Sequence, residues 1–175
     1  MAPFTGEPSY SQQVALAIVP KITSSLSIIG SSYIIFDCVR ALRRKRDDRN
    51  TYRRLMIGIS GVDITMSSCF FLSTWPMPRG TPFVFGARGS TQTCTAQGFF
   101  AQIGVSSVMY NASLSTYYLL VIRYGWLESR VVHVEPWLHA IPLVFGFATM
   151  IVGLCLKLYN YGVWDCWIAP YPLGC

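Results

Sequence analysis

Four long stretches of this chain contain almost no charged residues, and this feature constrains the fold more than any other. They cover residues 14–36, 55–75, 96–122 and 137–158, with at most one charged side chain in each. Each stretch exceeds the roughly 20 residues that a helix needs to cross a bilayer core about 30 Å thick. Lipid offers no hydrogen-bond partner to an open backbone, so each stretch must be helical. The sequence therefore predicts an integral membrane protein.

The loop between the first two stretches holds the net positive charge of the whole chain. Residues 40–54 contain eight Lys or Arg and two Asp, a balance of +6 that equals the formal net charge of the protein. Arg123 and Arg130 follow the third stretch, whereas the connections on the other side carry Arg79 and Arg88. Because basic loops stay in the cytosol, both chain termini are predicted to be extracellular. The positive charge thus sets membrane topology, and a nucleic-acid partner is not predicted.

The composition leaves no room for a soluble domain. Hydrophobic residues make up 52% and charged residues 13% of the chain, whereas soluble domains have about 25% charged residues. We therefore predict an all-α fold, a single membrane domain over residues 1–175 in which four transmembrane helices form a bundle in the lipid bilayer. The predicted helices cover about residues 13–42, 52–75, 94–124 and 137–158. The connections are two inner loops (43–51 and 125–136), an outer loop (76–93) and an outer tail (159–175).

Each predicted span carries a stripe of small or polar side chains that lipid would not favour. The stripes are Ser24, Ser27 and Ser31; Ser60, Asp63 and Ser67; Gly104, Ser107, Asn111 and Ser115; and Gly146, Thr149 and Gly153. Spacings of three and four residues place each set on one helix face. We interpret these faces as helix contacts rather than as the lining of a polar cavity. A face that the bundle leaves uncovered favours self-association into a homo-oligomer.

Asp63 is the only acidic residue deep within a predicted span. A carboxylate there costs roughly 2.5–3.5 kcal/mol on insertion scales unless a partner or water stabilises it. Such residues take part in ion binding, proton relay or conformational switching, although a packing hydrogen bond to Asn111 or to a serine also explains Asp63. Asn111 lies mid-span on a polar face as well. We therefore predict that Asp63 and Asn111 form the intramembrane polar site with a switching role.

Three cysteines lie on the predicted outer side, where disulfides form and persist. Cys94 stands at the start of the third span, and Cys166 and Cys175 lie in the tail. A bridge from Cys94 to the tail would tie the third helix to the segment after the fourth, but three cysteines leave the partner open. No Cys/His spacing suits a metal, and no nucleophile and base pattern indicates an enzyme. Neither a metal, a cofactor nor catalysis is predicted.

The order of these features resembles the first four helices of a G protein-coupled receptor, over about residues 14–167. The string ITSSLSIIGSS at residues 22–32 looks like the opening helix of the cyclic-AMP-receptor-like and secretin-like groups. The family also has an acid in the second helix, here Asp63, and a tryptophan after that helix, here Trp75. A cysteine at the start of the third helix, here Cys94, completes the likeness.

The resemblance implies a disulfide pairing. The sequence Asp165–Cys166–Trp167 is similar to the Cys-Trp pair in the second outer loop of secretin-like and cyclic-AMP-type receptors. That similarity favours Cys166 over Cys175 as the partner of Cys94.

The resemblance also implies a function. A plasma-membrane receptor would sense an extracellular ligand, and Arg123 and Tyr124 would face a heterotrimeric G protein. Ile122 stands before Arg123 where rhodopsin-like receptors have an acid, and the chain stops at Cys175 before a fifth helix, so we expect a receptor fragment or truncated form. The alternative is a four-helix scaffold, or a transporter or channel subunit, that acts by assembly. In that case Asp63 would line a permeation path or a subunit seam.

Overall fold

The computed structural model describes residues 8–44 and 50–169, and most of these residues are helical. Helix α1 spans Tyr10–Arg43, α2 spans Asn50–Leu72 and α6 spans Glu135–Cys155. Among the described residues, these are the three helices that are long and apolar enough to cross a membrane. Their bounds lie within a few residues of the first, second and fourth predicted spans.

The third predicted span is helical but changes its hydrogen-bonding pattern along its length. It consists of α3 (Thr91–Ala101), a 3₁₀ turn (Gln102–Gly104), α4 (Val105–Tyr118) and a π-helical turn (Leu119–Arg123). The junction residues Gln102 and Leu119 keep right-handed helical dihedral angles. The 3₁₀ turn lies where α2 approaches closely. A Cβ placed at Gly104 would lie 2.3 Å from the Met66 sulfur. Packing against α2 thus accompanies the change in helix type.

Two short features depart from the predicted loops. Helix α5 (Glu128–Val131) lies in the connection between the π-helical turn and α6. In the tail, β1 (Tyr159–Tyr161) and β2 (Cys166–Ile168) pair antiparallel, with Tyr161 opposite Cys166. The all-α prediction is therefore incomplete. Strands of three residues are too short to show the period-two alternation by which a strand is recognised.

Helices α1 and α2 lie antiparallel and hold each other through polar contacts at two levels. At the end of α2, the Lys21 ammonium donates hydrogen bonds to the carbonyl oxygens of Phe71 (3.1 Å) and Leu72 (3.0 Å). Further along, the hydroxyl oxygens of Ser27 and Ser67 are 3.0 Å apart. Serine spacing therefore predicted a real helix contact at this interface. The contact places the C-terminal end of α1 beside the N-terminal end of α2.

The apolar core has two parts, one between the helices and one under the loop that joins α2 to α3. The larger part joins α2, the 3₁₀ turn, α4, α5 and α6 through Leu55, Val62, Ile103, Tyr110, Tyr117, Val131, Leu138 and Met150. The smaller part contains Met77, Cys94 and Cys166. Many large apolar side chains outside these cores are exposed along α1 and α6. Apolar exposure of this extent is typical of a surface that meets lipid or another protein.

Candidate functional site

A disulfide joins Cys94 to Cys166, with their Cα atoms 5.2 Å apart. Cys94 lies in the first turn of α3, which begins after Ser90, whose side chain accepts a hydrogen bond from the Thr93 backbone N–H. Cys166 begins β2, and both cysteines are almost completely buried. The bond therefore fixes the start of the third helical segment to the hairpin that follows α6. The other candidate partner, Cys175, lies outside the described residues.

Gln97 connects the disulfide region to the end of α2. Its amide nitrogen donates to the carbonyl oxygens of Cys69 and Ser73, at 2.9 Å each. Its amide oxygen accepts a hydrogen bond from the backbone N–H of Cys166 at 3.2 Å. The side chain is buried, so these bonds satisfy a polar group that would otherwise be costly. Sequence reasoning missed Gln97, although an amide one turn after Cys94 in an otherwise apolar stretch was a usable signal.

Asp165 lies beside this cluster as a buried carboxyl group. The residue is 7% exposed, and no described residue donates a hydrogen bond to its side chain. Burial raises the pKa of Asp165 from 3.8 to about 6. The carboxyl group thus changes its charge in the weakly acidic range, directly next to the disulfide.

Asp63 and Asn111 are linked through Ser107 rather than to each other. The Ser107 hydroxyl donates to Asp63 Oδ1 at 3.2 Å. The Asn111 side-chain amide donates to the Ser107 carbonyl oxygen at 2.9 Å, within its own helix. Of the two packing partners considered for Asp63, the structure therefore shows a serine and not Asn111. The reason is geometric: Asn111 is exposed on α4 and turns back toward the preceding helical turn. The switching role of both residues stays a prediction.

Glu135 forms a second polar centre, at the end of the bundle opposite the disulfide. The residue is 9% exposed, and Arg54 of α2 binds its carboxylate through both Nε and Nη2, the latter at 2.6 Å. The Thr51 hydroxyl donates to the same carboxylate at 3.0 Å, and the Thr51 backbone N–H donates to Glu128 at 2.5 Å. Two glutamates, one from α5 and one from the start of α6, are thereby bound to the first turns of α2.

The same network extends to α4 through a histidine. His139 Nε2 lies 4.0 Å from Glu135 Oε1, and His139 Nδ1 lies 3.2 Å from the Tyr110 hydroxyl. Neither His139 nor Glu135 was predicted from the sequence as a site residue. Glu135 follows a connection of balanced charge, and its partner Arg54 is distant in sequence, so no local pattern could reveal the pair.

Arg123 and Tyr124 lie at the end of the π-helical turn, and both are exposed. No described residue forms an ion pair with Arg123. This end of the third segment is close to the start of α2, since the Tyr52 ring lies 6.1 Å from both the Tyr117 and the Tyr118 rings. The two predicted G protein-facing residues are therefore exposed at the end of the third segment that lies toward the start of α2.

Comparisons with protein-family models, with curated proteins and with solved structures each found no match. Within residues 8–44 and 50–169, no group of three or more His, Cys, Asp or Glu side chains is arranged to hold a metal ion.

Proposed function

We propose that this protein is a receptor-type membrane protein that transmits an extracellular signal to a heterotrimeric G protein. The observation that carries the proposal is the Cys94–Cys166 disulfide, which ties the start of the third helical segment to the hairpin after α6. Trp167 follows directly, and its indole N–H donates to Gln102 at 2.7 Å. This arrangement resembles that of G protein-coupled receptors, as noted in the sequence. In both, a cysteine at the start of the third helix pairs with the cysteine of a Cys-Trp sequence, which in those receptors lies in the second outer loop.

The proposal includes a fourth membrane crossing, at the plasma membrane, with both termini extracellular. The helical segments from Thr91 to Arg123 are longer than the roughly 20 residues that a crossing needs. They carry no charged side chain before Arg123. A segment that crosses the bilayer must have one end on each side. The disulfide lies at one end of this segment, and the arginine-rich start of α2 lies beside the other.

The polar centres suggest how a signal would pass through the bundle. Asp63 and Ser107 join α2 to α4 at mid-membrane depth, and the Arg54–Glu135 pair joins α2 to α6 at the inner end. A ligand that binds one arrangement of these helices better than another shifts the population toward that arrangement. In this proposal, movement of α2 relative to α6 changes the inner surface around Arg123 and Tyr124.

Binding of a G protein to the purified protein tests the proposal. We would place the protein in lipid nanodiscs and measure association with nucleotide-free heterotrimers from each Gα class. We expect binding by the wild type, loss of binding in Arg123→Ala and Tyr124→Ala, and unchanged binding in Arg79→Ala, which removes a charge from the predicted outer loop. A wild type that binds no heterotrimer, or that binds equally well after Arg123→Ala, would exclude this function.

Exposed polar side chains on α4 favour a second candidate, a scaffold or channel subunit that acts by assembly. Asn111 and Ser115 are both exposed, and each bonds only to a carbonyl of its own helix among the described residues. Polar side chains at membrane depth usually face another helix or a water-filled cavity. Native mass spectrometry of the wild type and of Asn111→Leu separates the candidates. A wild-type oligomer of defined size that becomes monomeric in Asn111→Leu supports assembly. If the wild type and Asn111→Leu are both monomeric, assembly is excluded.

A further inference from the structure

One face of α1 is apolar over most of its length and then becomes strongly basic. Its exposed apolar members are Ile22, Leu26, Ile29, Tyr33 and Phe36, with exposed fractions of 58, 66, 66, 70 and 62%. Spacings of three and four residues place them on one side of the helix. The same spacing leads from Phe36 to Arg40 and then to Arg43 and Arg44. This surface, Ile22–Arg44, is called the α1 stripe below.

The three arginines of the α1 stripe are available to bind an anion. Arg40 and Arg43 lie in the last turn of α1 and Arg44 is its C-cap, and all three are exposed. No described residue forms an ion pair with any of them. The glutamates at this end of the bundle are occupied elsewhere, since Glu128 accepts from Thr51 and Glu135 from Arg54. The negative charges of Glu128 and Glu135 therefore do not neutralise the arginines of the α1 stripe.

Asp37 is the one carboxylate close to these arginines on α1. It is exposed, it precedes Arg40 by three residues, and no described residue pairs with it. Three cations against one anion leave the surface positive. Asp37 also provides a test residue, because its removal should raise the affinity of an anionic ligand.

The part of this face next to the arginines supplies enough apolar length for one leaflet of a bilayer. Half of a core about 30 Å thick is about 15 Å, which corresponds to about ten helical residues, the separation of Leu26 and Phe36. The arginines follow where lipid headgroups lie. Guanidinium groups bind phosphate oxygens in a bidentate manner. Cytoplasmic leaflets are rich in anionic lipids, and basic clusters directly after a membrane helix attract them.

We propose that the α1 stripe is a binding site for an anionic phospholipid of the cytoplasmic leaflet. The acyl chains lie along Leu26–Phe36, and the headgroup phosphates bind Arg40, Arg43 and Arg44. A purely apolar partner helix would leave three guanidinium groups at its end without an anion. The phospholipid satisfies both parts of the surface. This inference goes beyond the receptor proposal and shares with it only the orientation, in which the C-terminal end of α1 lies on the cytosolic side.

Lipid capture from nanodiscs of defined composition tests the site. The protein would be placed in phosphatidylcholine nanodiscs with a minor fraction of phosphatidylinositol bisphosphate, and bound lipid counted by native mass spectrometry. We expect the wild type to enrich the bisphosphate lipid. The affinity should fall roughly fivefold per arginine replaced by glutamine, since each contributes about 1 kcal/mol near an anionic surface and 1.4 kcal/mol is tenfold. Asp37→Asn should increase the enrichment.

A charge-matched variant at the other end of the protein is the control. Arg40→Gln/Arg43→Gln/Arg44→Gln and Arg79→Gln/Arg88→Gln/Lys157→Gln each remove three positive charges, and all six residues are exposed. Only the first variant should lose the lipid. Equal losses in both variants, or no loss in the first, would overturn the site. If water-soluble inositol phosphates bind as tightly as the lipid does, the apolar part of the α1 stripe has no role in binding. If an acidic protein co-purifies in place of the lipid, the occupant of the site is not a phospholipid.

Discussion

At the scale of single residues, Asp165 gives the hairpin after α6 a pH-dependent stability. Burial raises its pKa from 3.8 to about 6, so the folded state binds the proton more tightly than the unfolded state does. The stabilisation is complete below pH 3.8 and is lost as the pH rises through about 6. We expect the wild-type thermal midpoint in detergent to fall over this range, by an amount equivalent to roughly 2–3 kcal/mol. Asp165→Asn should remove this dependence and match or exceed the wild type at neutral pH.

The exposed carboxylate of Asp37 supplies the control for this measurement. Asp37→Asn removes one acidic group from α1 without touching the hairpin, so its pH profile should follow that of the wild type. A full wild-type slope in Asp165→Asn would assign the pH dependence to other groups.

At the scale of helices, the contact between α4 and α6 depends on the absence of a side chain at Gly146. A Cβ there would lie 1.8 Å from the Ser106 hydroxyl oxygen, which is itself bound to the Pro142 carbonyl at 2.9 Å. We expect Gly146→Ala to separate the helices and to destabilise the protein by about 1–3 kcal/mol. Thermal unfolding in detergent measures the effect.

Gly30 of α1 is the matched control, because a Cβ there would meet nothing within 4 Å. Gly30→Ala should be neutral or should stabilise α1 by up to about 1 kcal/mol, the difference in helix propensity. Equal destabilisation by both substitutions would show that helix contact is not the cause.

The small and polar stripes also show what helical spacing can and cannot predict. The stripes on the second and fourth spans include Ser60, Ser67 and Gly146, which are buried. Asn111 belongs to a stripe with the same spacing and is exposed. Spacing places residues on one face of a helix, but which face meets a neighbour depends on contacts between distant parts of the chain. The Arg54–Glu135 pair escaped prediction for the same reason.

At the scale of the whole molecule, hydropathy predicted the bounds of α1, α2 and α6 because lipid requires long apolar helices. It predicted the third segment as one uniform span, yet that segment changes helix type near Gly104, where Met66 packs closely. The β-hairpin was not predicted because its order depends on Cys94 and Gln97, which hold Cys166 from another part of the chain.

The number of membrane crossings can be decided by labelling two positions on either side of the third segment. Phe83 precedes it and Leu127 follows it, and they are 48% and 75% exposed. Each would be changed to cysteine in a background where Cys38, Cys69, Cys155 and Cys175 are serine. Intact cells are treated with a membrane-impermeant maleimide, and permeabilised cells serve as the reference for full reactivity. Because positively charged loops stay in the cytosol, we expect Phe83→Cys to react in intact cells and Leu127→Cys to react only after permeabilisation. Reaction of both in intact cells would mean that residues 91–123 do not cross the bilayer, and the reverse pattern would invert the orientation on which the inner and outer sites depend.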